Sequence, residues 1–252
     1  MNKIFFPNNI FSKILSGTLD KTVQNSINLL PSASLTKKLL EDFSTVALIP
    51  TSDIITNKEL YISGKIGISF EGPLCSSYIF YEKDKDVING LKLYGDASTM
   101  EVIFGKILFK ELYNTNVEIT LTTDKTNLGN SNYIITGDYN FLESKFKSGI
   151  SFAEEIVDMI SAPFVNYVLA SQDRDKLIEV SESIIEKISN ISMGDFPIPN
   201  ELPQESYSFI KENISKVFYS LADQDIEGIN QLIRLPFYHG MLKDIIEVNF
   251  VQ

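Results

Sequence analysis

A short turn rich in hydroxyl groups is the first feature of this sequence that could bind a small acid. Gly72 and Pro73 form the turn, and Ser69, Ser76 and Ser77 flank it. Glycine allows close approach to a ligand because it has no Cβ, and proline fixes φ. The serine hydroxyls could then donate hydrogen bonds to a carboxylate. The alternative is a tight turn with solvated serines, since Gly-Pro is above all a turn signal.

Two other polar pairs stand where secondary-structure elements are expected to begin. Asn8 and Asn9 follow a short apolar run, where an asparagine pair is also ordinary turn chemistry. Ser98 and Thr99 precede an apolar pattern typical of a helix, so their hydroxyls and the free N–H groups of the first turn could receive a carboxylate. N-capping is the structural alternative, and the two roles can coexist because a cap uses only some of these N–H groups.

The remaining candidates for chemistry are single residues. Gly137 and Asp138 end an apolar run, and Asp138 could orient a ligand hydroxyl or cap the following turn. Phe164 fits either the wall of a cleft or the core. Cys75 and His239 are the only cysteine and histidine, which argues against a disulfide, a cysteine-based metal cluster or a histidine-rich zinc site. Metal sites of these kinds are therefore not expected.

Charge and composition narrow the class of partner. The sequence has 22 basic and 33 acidic residues, a net charge of −11, which argues against a nucleic-acid partner. The only arginines are Arg174 and Arg234, so an acidic ligand must rely mainly on backbone N–H groups, hydroxyls and helix N-termini. No apolar run approaches the ~18 residues of a membrane span, and the N-terminal stretch lacks the apolar run of a signal peptide. These features predict a cytoplasmic protein with no membrane partner.

Strand-like runs alternate with helical patterns, which is typical of an α/β protein. A helix is also expected within 31–40, before the first of the buried strands. The predicted strands span 46–50, 61–69, 77–81, 91–94, 117–121, 133–138 and 162–169. The predicted longer helices span 98–112, 173–191, 204–220 and 223–234.

The order of these elements predicts two lobes. The middle of the chain has its own strands and helix, and the C-terminal helices need an apolar partner. We therefore expect residues 1–84 and 191–252 to form one discontinuous lobe and residues 85–190 to form the other. A ligand cleft between the lobes follows from this arrangement.

Several stretches together resemble the chorismate dehydratase family of the futalosine route to menaquinone. Their order and spacing are similar across nearly the whole chain, and the resemblance implies a type II periplasmic-binding-protein-like fold. The stretches are Pro31-Ser32 with its helix, 46–52, 68–77, 133–138, 162–165, and the closing pair 218–221 and 225–229.

The resemblance implies a lyase that dehydrates chorismate to 3-[(1-carboxyvinyl)oxy]benzoate without metal or cofactor. It implies catalytic roles for Asn9, rather than Asn8, and for Ser76, with Ser69 as the second candidate serine. Ligand contacts are then expected from the Gly-Pro turn and the polar pairs. The expected assembly is a monomer or a homodimer. The expected ligand-binding residues are Asn8, Ser69, Gly72, Pro73, Ser77, Ser98, Thr99, Gly137, Asp138 and Phe164.

One departure from the family pattern opens alternative functions. The family has Ser-Arg-Thr-Ser where this chain has Ser98 and Thr99 without the arginine or the last serine. A non-catalytic binder or sensor of a small organic acid is therefore the second hypothesis. The related naphthoate synthase branch is the third, although its reaction is expected to use a histidine base and His239 is poorly placed to supply one.

Overall fold

Two β-sheets organise the chain in the computed structural model, which describes residues 3–82, 90–124, 131–189 and 196–251. The N-terminal part builds the first sheet, in which β1 pairs in parallel with both β2 and β3. Its elements are β1 (Ile4–Pro7), α1 (Ile10–Gly17), α2 (Lys21–Gln24), β2 (Ile27–Leu30), α3 (Leu35–Leu40), β3 (Val46–Pro50) and β4 (Tyr61–Phe70).

The middle of the chain builds the second sheet, with strand order β7-β6-β8-β5-β9. Strands β6 and β8 are parallel neighbours, so their carboxyl ends lie at the same edge. The elements are β5 (Ser77–Phe80), β6 (Gly90–Gly95), α4 (Thr99–Tyr113), β7 (Glu118–Thr122), β8 (Asn132–Thr136), α5 (Tyr139–Leu142), β9 (Ile150–Ser151) and α6 (Phe152–Ile160).

The C-terminal part returns to the first sheet, whose order is β11-β4-β10-β3-β1-β2, with β12 also paired to β4. The chain therefore forms an α/β protein of two lobes, as predicted from the sequence. The first lobe carries the first sheet and the second lobe the second. The returning elements are β10 (Phe164–Ser171), α7 (Arg174–Ile188), α8 (Gln204–Asn213), β11 (Val217–Ser220), α9 (Asp223–Tyr238) and β12 (Asn249–Val251).

The chain passes between the sheets at positions other than the expected boundaries, 84/85 and 190/191. It leaves the first sheet after Phe70 and enters the second at Ser77, and it returns between Ser151 and Phe164. Residues 77–80 thus pair in the second sheet, while β10 pairs in the first. The cause is physical: an apolar run indicates a strand, whereas the sheet that it joins depends on residues far away in sequence.

Most predicted elements are confirmed within a few residues, but the helix expected over 204–220 is partly wrong. It ends at Asn213, and Val217–Ser220 form a strand paired with β4. The last predicted helix, 223–234, continues to Tyr238 with Pro236 in its final turn. Within the described ranges, no helix combines the length and apolar character needed to cross a bilayer.

An aromatic cluster packs the lobes against each other beside residues 71–76, where the chain first passes from one sheet to the other. The Phe11 ring lies 4.9 Å from Phe70 of β4 and 5.9 Å from Phe141 of the second lobe, edge-on in both cases. Phe70 also stacks on Phe164 at 6.4 Å. Truncation of such a buried ring to alanine typically costs about 3–5 kcal/mol. This packing fixes the start of α1 against the second lobe.

Candidate functional site

The candidate site lies where the carboxyl ends of parallel strands from both lobes face each other. In the first lobe, β1, β2 and β3 are followed by Asn9, Ser32 and Ser52. In the second lobe, β6 and β8 are followed by Asp96 and Asp138. Ligands of open α/β sheets bind outside these carboxyl ends. Hydrogen bonds cross the cleft from Ser32 to Asp96 and from Ile10, the residue after Asn9, to Asp138.

The two asparagines after β1 have different environments. Asn9 is 2% exposed, and its side-chain oxygen accepts a hydrogen bond from the Ser12 N–H at 2.9 Å, which caps α1. Asn8 is exposed, and its N–H donates to the Leu30 carbonyl at 2.8 Å. Of the pair, Asn9 is the residue that lies in the cleft.

Ser76 is bonded to both lobes at the first passage. Its carbonyl oxygen accepts from the Gly137 N–H at 2.8 Å and from the Asn140 amide at 3.0 Å. Its hydroxyl accepts from the Asn166 amide of β10 at 2.9 Å. Because the hydroxyl is buried between the lobes, it is in a position to contact a molecule enclosed by them.

Asp138 crosses the cleft to the start of α1. Its carboxylate accepts from the Ile10 N–H at 2.6 Å and from the Lys13 ammonium at 2.7 Å. Gly137, just before it, has a φ of 86°, a left-handed conformation that favours glycine. Neither role predicted for Asp138, orienting a ligand hydroxyl or capping the following turn, includes this bond to the opposite lobe.

Asp96 makes a second crossing, to the turn after β2. Its carboxylate accepts from the Ser32 N–H at 2.8 Å and from the Ser32 hydroxyl at 2.6 Å. Burial raises the pKa of Asp96, although the bonds from Ser32 act in the opposite direction. The Ser32 hydroxyl lies 2.7 Å from the Tyr167 hydroxyl. Burial, with the nearby Glu101 and Asp96, raises the pKa of Tyr167 well above its ordinary value, so this hydroxyl remains protonated.

Thr99 makes a third crossing from the start of α4. Its hydroxyl donates to Asp53 and lies 2.5 Å from the Ser52 hydroxyl, both after β3. Asp53 also accepts from Thr36. The predicted ligand residue Thr99 therefore faces the first lobe, where its hydroxyl is bonded to protein groups.

Ser98 and Ser77 bond to a buried carboxylate rather than to the cleft. The Ser98 N–H and hydroxyl donate to Glu101 at 3.0 and 2.8 Å, which completes a capping box on α4. The Ser77 hydroxyl donates to the same carboxylate at 2.8 Å. The N-capping alternative is thus the observed one for Ser98.

The Gly-Pro turn makes contacts of a structural kind. A Cβ at Gly72 would lie 3.2 Å from the Lys216 side chain, and the Pro73 carbonyl accepts from the Tyr78 hydroxyl at 2.8 Å. Ser69 is fully buried in β4, and its hydroxyl has no hydrogen-bond partner among the described residues. Phe164 is 2% exposed and packs in the aromatic cluster. Gly72 and Pro73 thus match the tight-turn alternative and Phe164 the core alternative, whereas Ser69 is buried rather than solvated.

Several cleft residues are absent from the sequence-based set. Lys13, Asp96 and Tyr167 are not among the predicted residues, Ser32 enters only as part of a motif, and Asn166 only as the end of the cleft-wall segment around Phe164. One signal was available: Gly95-Asp96 repeats the Gly-Asp pair of 137–138, each after a strand. A bulge between Val165 and Tyr167 in the pairing of β10 with β4 explains why neighbouring residues both bond to the cleft.

Comparisons with known proteins bear on the fold. The sequence matches no protein-family model and no curated protein. The structure is similar to protein AF1704 from Archaeoglobus fulgidus, with a TM-score of 0.64 and 10% identity over 96% of this chain and 98% of that one. It is also similar to the alkanesulfonate-binding protein SsuA from Xanthomonas axonopodis pv. citri bound to MOPS, with a TM-score of 0.59 and 10% identity over 100% and 97%.

A third similar structure is a Candida albicans protein described as having the generic periplasmic binding protein fold. Its TM-score is 0.51, with 12% identity over 97% of this chain and 91% of that one. At these identities the similarity defines the fold alone. The chain therefore has a two-lobed, type II periplasmic-binding-protein-like fold.

Proposed function

We propose that this protein binds a small organic acid between its lobes and that the acid is chorismate, which it dehydrates in the cytoplasm. The observation that carries the proposal is that the residues after β8 contact both Ser76 and the residue that follows Asn9. Gly137 bonds to Ser76, and the adjacent Asp138 bonds to the residue after Asn9. The end of β8 therefore connects Ser76 with the first turn of α1, which follows Asn9. The family resemblance implies catalytic roles for Asn9 and Ser76, and this connection supports the proposal.

The reaction removes the hydroxyl from C4 of the ring and the proton from C3 as water. The ring of the product, 3-[(1-carboxyvinyl)oxy]benzoate, is aromatic, and aromatisation drives the step. The protein must hold the substrate rigidly and exclude bulk water. Asn9 and Ser76 are 2% and 3% exposed, which suits that task once the lobes close on a ligand. The family resemblance implies that the enolpyruvyl carboxylate of the substrate acts as the base.

The experiment is to incubate the purified protein with chorismate and follow loss of water by mass spectrometry. We expect turnover, and we expect Asn9→Ala and Ser76→Ala to lower kcat about 10–100-fold, because each removes a hydrogen-bonding group at the reacting ring. Asn28→Ala is a matched control, since Asn28 is exposed on β2. Unchanged turnover in both site variants would contradict the assigned roles.

A second candidate function is binding without turnover. It is favoured by the departure from the family pattern at Ser98 and Thr99, where the arginine is missing and both hydroxyls bond to protein carboxylates. Heat of binding for chorismate without loss of water would support this function and contradict the lyase. If chorismate is neither bound nor turned over, chorismate is not the ligand.

A further inference from the structure

Two carboxylates of the second lobe occupy hydrogen-bond donors of the first lobe. Asp138 and Asp96 follow neighbouring parallel strands, and each reaches a separate set of donors on the opposite side of the cleft. A carboxylate is the group that a small organic acid would bring to these donors. The structure thus shows how the first lobe holds two carboxylates at once.

The first donor set combines a charge with a backbone amide. The Lys13 ammonium and the Ile10 N–H hold the two oxygens of Asp138 separately, at 2.7 and 2.6 Å. Both donors belong to α1, so they keep their relative position when Asp138 leaves. The Lys13 side chain is 39% exposed and the Asp138 side chain 22%, so the pair lies at the mouth of the cleft rather than deep within it.

The second donor set is neutral. The Ser32 N–H and hydroxyl each hold one oxygen of Asp96, and the Tyr167 hydroxyl supports the Ser32 hydroxyl at 2.7 Å. Ser32 is fully buried. With Asp96 removed, the buried amide and hydroxyl would lack acceptors, which is costly unless another acceptor takes its place.

We propose that these donor sets are two carboxylate subsites, that Asp138 and Asp96 fill them in the ligand-free protein, and that a dicarboxylic acid displaces both. Lys13 then supplies the positive charge that favours an anionic ligand. The family pattern has an arginine at the start of α4 for this role, and that arginine is missing here. A monocarboxylate releases only one aspartate and leaves the other crossing intact. The proposal rests on the proposed binding of an organic acid in this cleft.

The first experiment needs no ligand. Asp96→Ala combined with Asp138→Ala should open the lobes, seen as a larger radius of gyration by X-ray scattering and at least ~10-fold faster hydrogen exchange at the Ile10 and Ser32 amides. The control is Asp175→Ala with Asp244→Ala, which makes the same change in net charge at exposed positions. Asp96→Asn with Asp138→Asn, which retains the side-chain shape, is the second variant if the alanine variant does not fold. Unchanged scattering and exchange would overturn the proposal.

The second experiment measures affinity for isophthalate, chorismate and benzoate by calorimetry. The double alanine variant should bind the two dicarboxylates at least ~10-fold more tightly than the wild type, because no internal carboxylate competes, and benzoate should gain less. In the double alanine background, where Asp138 no longer competes for the ammonium, Lys13→Gln should weaken both dicarboxylates about 10-fold. Weaker binding by the double alanine variant would overturn the proposal, since the aspartates would then contact the ligand themselves.

The two proposals fail in different ways. If the double alanine variant binds isophthalate more tightly but the wild type does not dehydrate chorismate, the subsites are supported and the lyase is contradicted. Dehydration of chorismate by the wild type, with exchange and affinities unchanged in the double variant, contradicts the displacement and leaves the lyase standing.

Discussion

Replacing Glu101 by alanine is expected to lower the free energy of unfolding by about 3–4 kcal/mol, because three buried residues lose a shared acceptor. One carboxylate oxygen accepts from the Ser98 N–H at 3.0 Å and from its hydroxyl at 2.8 Å. The other accepts from the hydroxyls of Ser77 at 2.8 Å and Thr136 at 3.3 Å. These bonds tie α4 to β5 and β8, directly below the cleft.

Urea denaturation at a fixed pH measures this loss, and Glu101→Gln is its matched control. Glutamine keeps one oxygen for the Ser98 donors, while its amide can donate to the Ser77 and Thr136 hydroxyls after they rotate. We expect Glu101→Gln to keep most of the stability that Glu101→Ala loses. A loss below ~1 kcal/mol for alanine would mean that water replaces the carboxylate at little cost.

The same pair of variants tests how the stability of the protein depends on pH. Burial raises the pKa of Glu101 above its ordinary value of 4.5, although the hydrogen bonds from Ser77 and Ser98 oppose this. The folded protein therefore keeps this proton to a higher pH than the unfolded chain does. Its contribution to stability is fully present below the unfolded pKa and is lost as the pH rises through the folded pKa. Glu101→Gln should therefore gain stability relative to the wild type as the pH rises above ~4.5.

The elements that could be predicted from the sequence are those defined by local patterns. Val46–Pro50 was predicted with its observed bounds, and α4 within one residue at each end. The polar residues that end strands were also recognisable as candidates, because glycine and aspartate after an apolar run indicate a turn. Such signals involve residues that are close together in sequence, so they can be recognised without knowing the fold.

The parts that could not be predicted depend on long-range pairing. Val217–Ser220 is too short an apolar run to be assigned as a strand, and it becomes one because β4 offers it a free edge. Lys13 belongs to α1, which is not among the predicted helices, and it reaches Asp138 where Phe11 of the same helix packs against Phe141. The cleft contacts thus result from how the lobes pack, which no local pattern encodes.

The repeated Gly-Asp pair connects the fold to the site. Gly95 and Gly137 both have positive φ, 105° and 86°, at the ends of the parallel strands β6 and β8. The turn that each permits directs the next residue, Asp96 or Asp138, across the cleft. Two glycines therefore set the geometry of both carboxylate crossings. A substitution at either one should affect the stability of the protein and the position of its aspartate together.

Gly95→Ala is expected to destabilise the protein by about 3–5 kcal/mol, from backbone strain and overpacking combined. A Cβ at this position would overlap the carbonyl oxygen of Thr136, which belongs to the backbone of β8 and cannot move aside as a side chain can. The φ of 105° adds strain for any residue with a Cβ. Urea denaturation of the purified variant measures the loss.

Gly240→Ala separates the overlap from the strain. Gly240 also has a positive φ, 69°, but a Cβ there would meet nothing within 4 Å, so we expect a loss of only about 1 kcal/mol. Gly137→Ala should fall between the two, because its Cβ would lie 3.1 Å from the Asp96 Cβ, a tight contact that is less severe than the overlap at Gly95. Equal losses in all three variants would contradict the role of the Thr136 carbonyl. The predicted order would instead show that the close approach of β6 to β8 is what requires glycine before Asp96.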